Sequence, residues 1–261
     1  MSLSERFITP ECFPDNVVAY TSTRCSGVSG KATVESNALV NSIAQENDSG
    51  NDYVGFNIGA HVGDDIKNVS DNRARLPCSD KITWLEQVHG ETVVTLPASS
   101  IVADASFSSN AAHFCAVMTA DCVPVLLSDR RGKEVSAIHA GWKGLEANII
   151  ANAVAHFSSK PSQLVAWVGP AICGECYEVD ASLADKFSHY KNSVKQKKET
   201  GKYLLNLPNI ANLQLARLGI QHITQSNLCT YCQNDLFYSH RKATHDNYGA
   251  TGRIVSVIGF R

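Results

Sequence analysis

The chain has 261 residues, of which 44% are hydrophobic and 18% charged, with a formal net charge of -2 and a pI near 6.5. These values are ordinary for a folded protein with an ample core, and they exclude the basic bias that binds nucleic acid or anionic membranes. The best apolar run, Cys115 to Leu127, is interrupted by Asp121 and is too short to span a bilayer. We therefore expect neither a nucleic-acid nor a membrane partner.

Hydrophobic periodicity and turn residues predict the elements of the first half of the chain. A helix is expected over Thr33 to Glu46. Asp64 is the predicted N-cap of a second helix that runs through Ile66, Val69 and Leu76. The predicted strands are Val17 to Thr21, Ile82 to Val88, Thr92 to Leu96, Phe114 to Met118, Val123 to Leu127, and Val135 to His139.

The second half mixes further helices and strands. Gly141 and Gly144 lead into one helix that reaches Phe157. Lys191 to Lys202 holds five lysines and no strong apolar period, which predicts a solvated loop. Because strands and helices are mixed without strict alternation, we expect a single α+β domain with a mixed β-sheet core flanked by helices. The remaining predicted elements are a strand at Leu164 to Val168, helices at Ser182 to Tyr190 and Leu207 to Leu218, and a terminal strand at Arg253 to Phe260.

The cysteines and the start of the chain favour a reducing compartment. The nine cysteines are an odd number, so they cannot all pair within one chain. The opening segment MSLSERFITPECFP carries Glu5 and Arg6 and lacks the apolar run of a signal peptide. We therefore expect a cytoplasmic protein with free thiols or metal-bound cysteines.

Three residues can form a metal-binding tripod: His89 in QVHG, Cys122 in TADC and His139 in HAGWKG. Two imidazoles and a thiolate hold zinc while leaving its fourth position open, which is the pattern of catalytic zinc. His139 also precedes a predicted helix N-terminus, which favours an anion, and Lys143 adds a cation there. The alternative interpretation is that each residue is a polar or small apolar side chain without a metal.

Two CxxC pairs, Cys173–Cys176 and Cys229–Cys232, have ligand spacing typical of structural zinc. The 52 residues numbered 177–228 separate the pairs by more than in a zinc ribbon, so unpaired thiols are favoured and a zinc-held module is the alternative. His89-Gly90-Glu91 matches the H-x-E half of the zinc-deaminase signature, but the P-C-x-x-C half does not follow. No P-loop, G-x-G-x-x-G or G-x-S-x-G motif is present.

A longer series of segments resembles one family from about Ser22 to Arg261. In chain order the segments are STRCSGVSG, HVGDD, NRARL, QVHG, ADA, TADCVPVLL, HAGWKGL, VGPAICGECYEV and LFYSHRK. They are similar to the laccase-domain family, also called multicopper polyphenol oxidase-like, whose members are regarded as zinc-dependent purine nucleoside enzymes. The resemblance implies one such α+β domain over residues 1–261, small-molecule substrates, and a monomer or weak homodimer.

The resemblance also implies an active site and its reactions. Its metal and catalytic residues correspond to His89, Cys122 and His139, with Zn²⁺ as cofactor and copper possible at the same site. The implied reactions are phosphorolysis of adenosine, inosine and S-methyl-5′-thioadenosine, and deamination of adenosine to inosine. Asp121 or Glu91 would assist proton transfer. The candidates for binding phosphate are Arg24, Lys143 and Arg241.

Two other activities compete with this hypothesis. A multicopper oxidase binds its copper cluster through His-x-His segments, and none of the nine histidines forms such a segment, so a copper-dependent phenol oxidase is disfavoured. A cysteine hydrolase would use Cys122 as nucleophile and His139 as base. Its substrates would be amides such as cell-wall peptide precursors.

Overall fold

A computed structural model describes residues 2–3, 6–25, 27–29, 50–198 and 201–261. In this part of the chain the helices are α1 (Ile66–Ala74), α2 (Trp142–Glu146), α3 (Ile149–Val154), α4 (Ala181–Lys186), α5 (Leu207–Arg217) and α6 (His240–His245). The strands are β1 (Ser2–Leu3), β2 (Phe7–Thr9), β3 (Val17–Ser22), β4 (Ile82–Thr83), β5 (Val93–Thr95), β6 (Ala105–Ser108), β7 (Phe114–Thr119), β8 (Val123–Asp129), β9 (Val135–Ala140), β10 (Leu164–Val168), β11 (Glu178–Val179), β12 (Val194–Lys197), β13 (Lys202–Leu205), β14 (His222–Gln225) and β15 (Ile254–Phe260).

The first of two large sheets has the strand order β1-β2-β3-β15-β7-β4. The C-terminal strand β15 lies between β3 and β7 and runs antiparallel to both, so Ile258 pairs with Ala19 on one side and Cys115 on the other. Every residue of β15 is buried, as expected for a strand covered on both faces. The predicted terminal strand is thereby confirmed.

The second large sheet has the order β14-β10-β8-β9-β6-β5. β8 and β9 are antiparallel neighbours, and their register pairs Pro124 with His139 and Val123 with Ala140. The β10–β14 and β5–β6 pairs are parallel, so the sheet is mixed. This register brings the residue before β8 close to the end of β9, where two of the tripod residues lie.

The two sheets pack face to face, and helices cover the far side of the second sheet. Because side chains alternate along a strand, Leu126 and Trp167 of the second sheet pack in one cluster with Val117 and Ile258 of the first. The alternate side chains, including Val125 and Ile138 of β8 and β9, pack with residues of α3 and α5. The predicted α+β class with a mixed sheet flanked by helices is confirmed.

Three predicted helices differ from the observed ones, and a fourth lies outside the described residues. The helix predicted over Ser182 to Tyr190 is α4, which ends at Lys186. The helix expected to continue to Phe157 is broken, because Asn148 adopts a left-handed φ of 62° between α2 and α3. Asn tolerates this conformation better than most residues. The N-cap of α1 is Asp65, which accepts a 2.8 Å hydrogen bond from the Lys67 N–H, and not Asp64. The helix predicted over residues 33–46 falls in the undescribed range.

One strand prediction and one loop prediction also need correction. The strand expected to reach Val88 ends at Thr83. Beyond Thr83, the side-chain amide of Gln87 makes the two hydrogen bonds to Met118 that a paired strand would make. It accepts from the Met118 N–H at 2.7 Å and donates to the Met118 carbonyl at 2.9 Å. The lysine-rich segment is not a loop, because β12 and β13 form a hairpin that joins β11 in a small third sheet. Its charges are partly paired, as Lys197 Nζ lies 2.8 Å from Glu178 Oε2.

Among the described residues, none of the helices has the length and apolar content needed to cross a membrane.

Candidate functional site

The three residues of the predicted tripod lie together. Cys122 directly precedes β8 and His139 is near the end of β9, so the antiparallel register places them side by side. His89 reaches them from the loop after β4, and its ring meets that of His139 edge-on at a centroid distance of 4.8 Å. One donor atom from each residue lies within 4.8 Å of the other two. The structure therefore contains a candidate metal site of two imidazoles and one thiol.

A buried carboxylate, Asp104, organises this cluster. Its Oδ1 accepts a 2.7 Å hydrogen bond from His139 Nδ1 and a 2.9 Å bond from the His89 N–H. Its Oδ2 accepts from the Gly90 and Val88 N–H groups at 2.6 and 3.2 Å. Because Nδ1 of His139 is bound to Asp104, Nε2 is the nitrogen left for a metal. Such a carboxylate fixes the tautomer and orientation of a metal-binding histidine.

Two residues of the site have strained backbones. His89 has φ 59° and Asp121 has φ 90°, and each such conformation costs on the order of 1–3 kcal/mol for a residue with a side chain. The bonds to Asp104 hold the His89 backbone in place. Asp121 is held by its side chain, as Oδ1 accepts from Thr230 Oγ1 and Oδ2 from the Arg241 N–H, both at 2.7 Å. The strain is thus offset by interactions that orient the site.

The electrostatics of the cluster favour a thiolate beside an imidazolium. Burial raises the pKa of the Cys122 thiol, but the charges and hydrogen bonds of His139 and His89 outweigh it and bring the pKa to about 6. Burial lowers the pKa of His139, but Cys122 and Asp104 outweigh it and raise the pKa to about 9. Burial raises the pKa of Asp104, but His139 and the Gly90 and Val88 N–H groups outweigh it and keep the pKa below its usual value. A pre-formed thiolate is the form of cysteine that binds metals.

The donor set fits a tetrahedral zinc ion. Zinc bonds of about 2.0–2.3 Å to nitrogen and sulfur require donor separations of about 3.3–3.8 Å. Since the donor atoms lie within 4.8 Å of one another, each separation must shorten by at most about 1.5 Å to bind the ion. Gly141 leaves this space open, because a Cβ at that position would lie 3.0 Å from Cys122 Sγ and 3.5 Å from His89 Cδ2. Three protein donors with an open side match catalytic zinc.

The tripod opens into a crevice of about 330 Å³, at the small end of the range for small-molecule sites. Aromatic side chains form part of its wall, with Trp142 at the start of α2 and Tyr177 directly before β11. Two arginines also line it: Arg241, whose guanidinium lies 5.0 Å from the Tyr177 ring centroid, and Arg253. The crevice thus combines metal donors, flat aromatic surfaces and positive charge.

The three candidates for binding phosphate occupy different positions relative to the crevice. Arg241 lines the crevice, and Lys143 is exposed beside it with Nζ 5.7 Å from the Trp142 ring centroid. Arg24 does not line the crevice: its guanidinium pairs with Asp52 and donates to the carbonyl groups of Val54 and Asn234. These contacts hold the Arg24 guanidinium outside the crevice, and its role in binding phosphate stays a prediction.

Of the two candidates for proton transfer, only one lines the crevice. Asp121 lines the crevice next to Cys122, although both of its carboxylate oxygens already accept hydrogen bonds. Glu91 does not line the crevice; the side-chain amide of Asn152 donates to its carbonyl at 3.2 Å and to its carboxylate at 3.5 Å.

Among the residues of the site that sequence reasoning missed are two charged ones, Asp104 and Arg253. Asp104 lies in the ADA segment, one of the segments that carry the family resemblance, so a signal for it was present. Arg253 directly precedes the fully buried strand β15, and a charged residue at such a position is uncommon enough to have marked it. Burial lowers the pKa of Arg253, while the negative charges of Cys122 and Asp121 favour its charged form.

The chain is similar to known proteins over nearly its whole length. The chain is 38% identical to "Purine nucleoside phosphorylase YfiH" of Shigella flexneri, over 97% of this chain and 98% of that one. It is 37% identical to the protein of the same name from Escherichia coli K12, over 94% of each chain. The crystal structure of protein NMB0706 from Neisseria meningitidis superposes with a TM-score of 0.80 at 32% identity, covering 98% of this chain and 99% of that one.

The family model described as "Multi-copper polyphenol oxidoreductase laccase" matches residues 39–261. This range includes every residue of the tripod, together with Asp104, Asp121 and both crevice arginines. The chain therefore belongs to the multi-copper polyphenol oxidoreductase laccase family.

Proposed function

We propose that this protein is a zinc-dependent purine nucleoside phosphorylase that also deaminates adenosine. The observation that carries the proposal is the crevice itself, in which the His89–Cys122–His139 donor set shares one cavity with two arginines and two aromatic side chains. The names of the relatives support the same substrate class. The expected substrates are adenosine, inosine and S-methyl-5′-thioadenosine.

Phosphorolysis requires an anion site next to a site for the base. Arg241 and Arg253 supply positive charge, and guanidinium groups bind phosphate oxygens through paired N–H donors. The aromatic rings of Trp142 and Tyr177 offer flat surfaces for a purine. Phosphate oxygen attacks C1′, the bond from C1′ to the purine nitrogen breaks with its electron pair, and the base leaves after gaining a proton. The products are the free base and pentose 1-phosphate.

Deamination needs water and proton transfer at the same crevice. Water adds to C6 of adenosine and ammonia leaves, so one proton of the water must pass to N1 of the purine and the other to the leaving amino group. Asp121 faces the crevice beside Cys122 and is the residue that we assign to this transfer. When bound to the tripod, zinc supplies a Lewis acid with an open coordination position. Asp104 keeps His139 oriented for that ion throughout.

We favour zinc over copper, although a His₂Cys donor set accepts either. The histidine pattern, with no His-x-His segment, offers nothing to bind the copper cluster of a multicopper oxidase. We further infer one domain of this family over residues 1–261, a cytoplasmic location, small-molecule substrates without nucleic acid or membrane, and a monomer or weak homodimer.

The test is incubation of the purified, zinc-loaded protein with adenosine, with and without phosphate. We expect adenine and ribose 1-phosphate only with phosphate, and inosine in both samples. Cys122→Ser should abolish both reactions, whereas Cys78→Ser, at an exposed thiol, should leave them unchanged. Absence of adenine, inosine and hypoxanthine from the wild-type reaction would refute the proposal.

A second candidate function rests on one observation. Cys122, with its lowered pKa, contacts His139, whose other nitrogen is bound to Asp104, and this is the nucleophile–base–carboxylate order of a cysteine hydrolase. The substrates would be amides such as cell-wall peptide precursors. Removal of zinc by a chelator distinguishes the two candidate functions. A hydrolase is most active after chelation, because Cys122 is then free to attack the substrate. A phosphorylase is inactive in that state, and its Cys122 resists iodoacetamide only while zinc is bound.

A further inference from the structure

The four cysteines of the two CxxC pairs form a second cluster away from the crevice. Their sulfur atoms all lie within 4.8 Å of one another, although residues 177–228 separate the pairs in sequence. None of the four lines the crevice, and all are free thiols in the structure. We propose that Cys173, Cys176, Cys229 and Cys232 bind a structural zinc ion.

The spacing of the sulfur atoms fits four-coordinate zinc. Zinc–sulfur bonds of about 2.3 Å in a tetrahedron place the sulfur atoms about 3.8 Å apart. The Cys176 and Cys232 sulfur atoms are 3.3 Å apart, and no pair exceeds 4.8 Å. Each distance therefore reaches the tetrahedral value by a change of at most about 1 Å. Four thiolates without an open position define a closed structural site, unlike the tripod.

The backbone around the cluster is arranged as a support for thiolates. Cys229 Sγ accepts from two backbone N–H groups, those of Cys173 at 3.3 Å and Cys232 at 3.4 Å. One of these donors comes from its own CxxC turn and the other from the opposite turn. Hydrogen bonds to a ligating atom orient it for the metal. The turns are also joined directly, since Ala171 pairs with Cys229 in a parallel bridge.

The position of the cluster shows what the ion would stabilise. Ile172 and Tyr177 flank the first CxxC pair, and both line the crevice. Thr230 lies inside the second pair, and its hydroxyl donates to Asp121. A metal that ties the two turns together therefore holds one wall of the crevice and the residue that anchors Asp121. The ion has a positioning role and takes no part in the reaction.

Metal analysis tests the proposal on the full chain, expressed with zinc and purified with a reductant and without a chelator. We expect about two zinc ions per chain, one for each donor set. The Cys176→Ser/Cys232→Ser double variant should lose one of them and keep the tripod zinc. Cys122→Ser should lose the other, and Cys78→Ser, at an exposed thiol outside both sets, should lose none. A double variant with the wild-type zinc content overturns the proposal.

Alkylation of the wild-type protein gives a second test that does not depend on the folding of a variant. Cys232 and Cys78 are both exposed. In the zinc-loaded protein, iodoacetamide should modify Cys78 while Cys232 and its three partners stay unmodified and recover as thiols after denaturation. Modification of Cys232 as fast as Cys78, or a Cys176–Cys232 disulfide in the peptide map, overturns the proposal. Both tests are independent of the reaction in the crevice, because they measure only metal and thiols.

Discussion

Asp104→Asn is the substitution whose effect follows most directly from the structure. Each carboxylate oxygen accepts two hydrogen bonds, Oδ1 from His139 and the His89 N–H, and Oδ2 from the Val88 and Gly90 N–H groups. An amide keeps one oxygen and replaces the other with NH₂. Whichever way the amide is turned, its NH₂ group faces two hydrogen-bond donors that the carboxylate oxygen had accepted from. A hydrogen bond to a charged group contributes about 1.5–3 kcal/mol, so losing two lowers the free energy of unfolding by about 3–6 kcal/mol.

The same substitution weakens the metal site. Loss of the bond that orients His139 should reduce zinc affinity by about 10–100-fold, the usual effect of removing such a partner. Zinc affinity is measured by competition with a chromophoric chelator, and the free energy of unfolding by urea denaturation. Asp71→Asn, at an exposed carboxylate of α1, is the matched control and should change stability by less than about 0.5 kcal/mol. Wild-type zinc affinity and stability in Asp104→Asn would contradict the role assigned to this carboxylate.

Three further predictions concern the crevice. Gly141→Ala places a Cβ 3.0 Å from Cys122 Sγ, so zinc affinity measured by chelator competition should fall by about tenfold or more, and an unchanged affinity would contradict the fit. Arg241→Met removes a guanidinium from the proposed anion site, so the KM for phosphate should rise by about 10–100-fold while the KM for adenosine changes less. Steady-state kinetics with each substrate varied checks this, and an equal rise in both values opposes it. In the chelated protein, the rate at which iodoacetamide alkylates Cys122 should fall as the pH drops through about 6, because protonation removes the reactive thiolate that His139 and His89 stabilise. A midpoint near the ordinary value of about 8.5 would show that these histidines do not stabilise it.

The parts of the fold that the sequence predicted are those set by apolar periodicity. β7, β8, β9, β10 and β15 are continuous apolar runs, and the structure places them in the predicted segments, buried on both faces. Short strands such as β1, β11 and β14 carry too few residues for a period to appear. The hairpin in the lysine-rich segment was missed because its stability comes from strand pairing and from ion pairs with distant acidic residues, which local composition does not reveal.

The candidate site also contains features that the sequence predicted and features that depend on the fold. His89, Cys122 and His139 were identified from residue type and motif, and the strand register then explains why two of them meet. The position of Arg24 outside the crevice could not be predicted, because motif membership does not say which surface a side chain faces and its partner Asp52 is 28 residues away. The proximity of the two CxxC pairs likewise depends on the fold. Their separation in sequence argued against one site, yet the pairing of Ala171 with Cys229 brings the two turns together.

A crystal structure of the zinc-loaded protein with phosphate, recorded at the zinc absorption edge, tests the central claim most directly. We predict an anomalous peak within about 2.0–2.3 Å of Cys122 Sγ and one nitrogen each of His89 and His139, with phosphate bound in the same crevice by Arg241 or Arg253. Absence of that peak, or phosphate bound only outside the crevice, would contradict the assignment of this crevice as a zinc-dependent phosphorylase site.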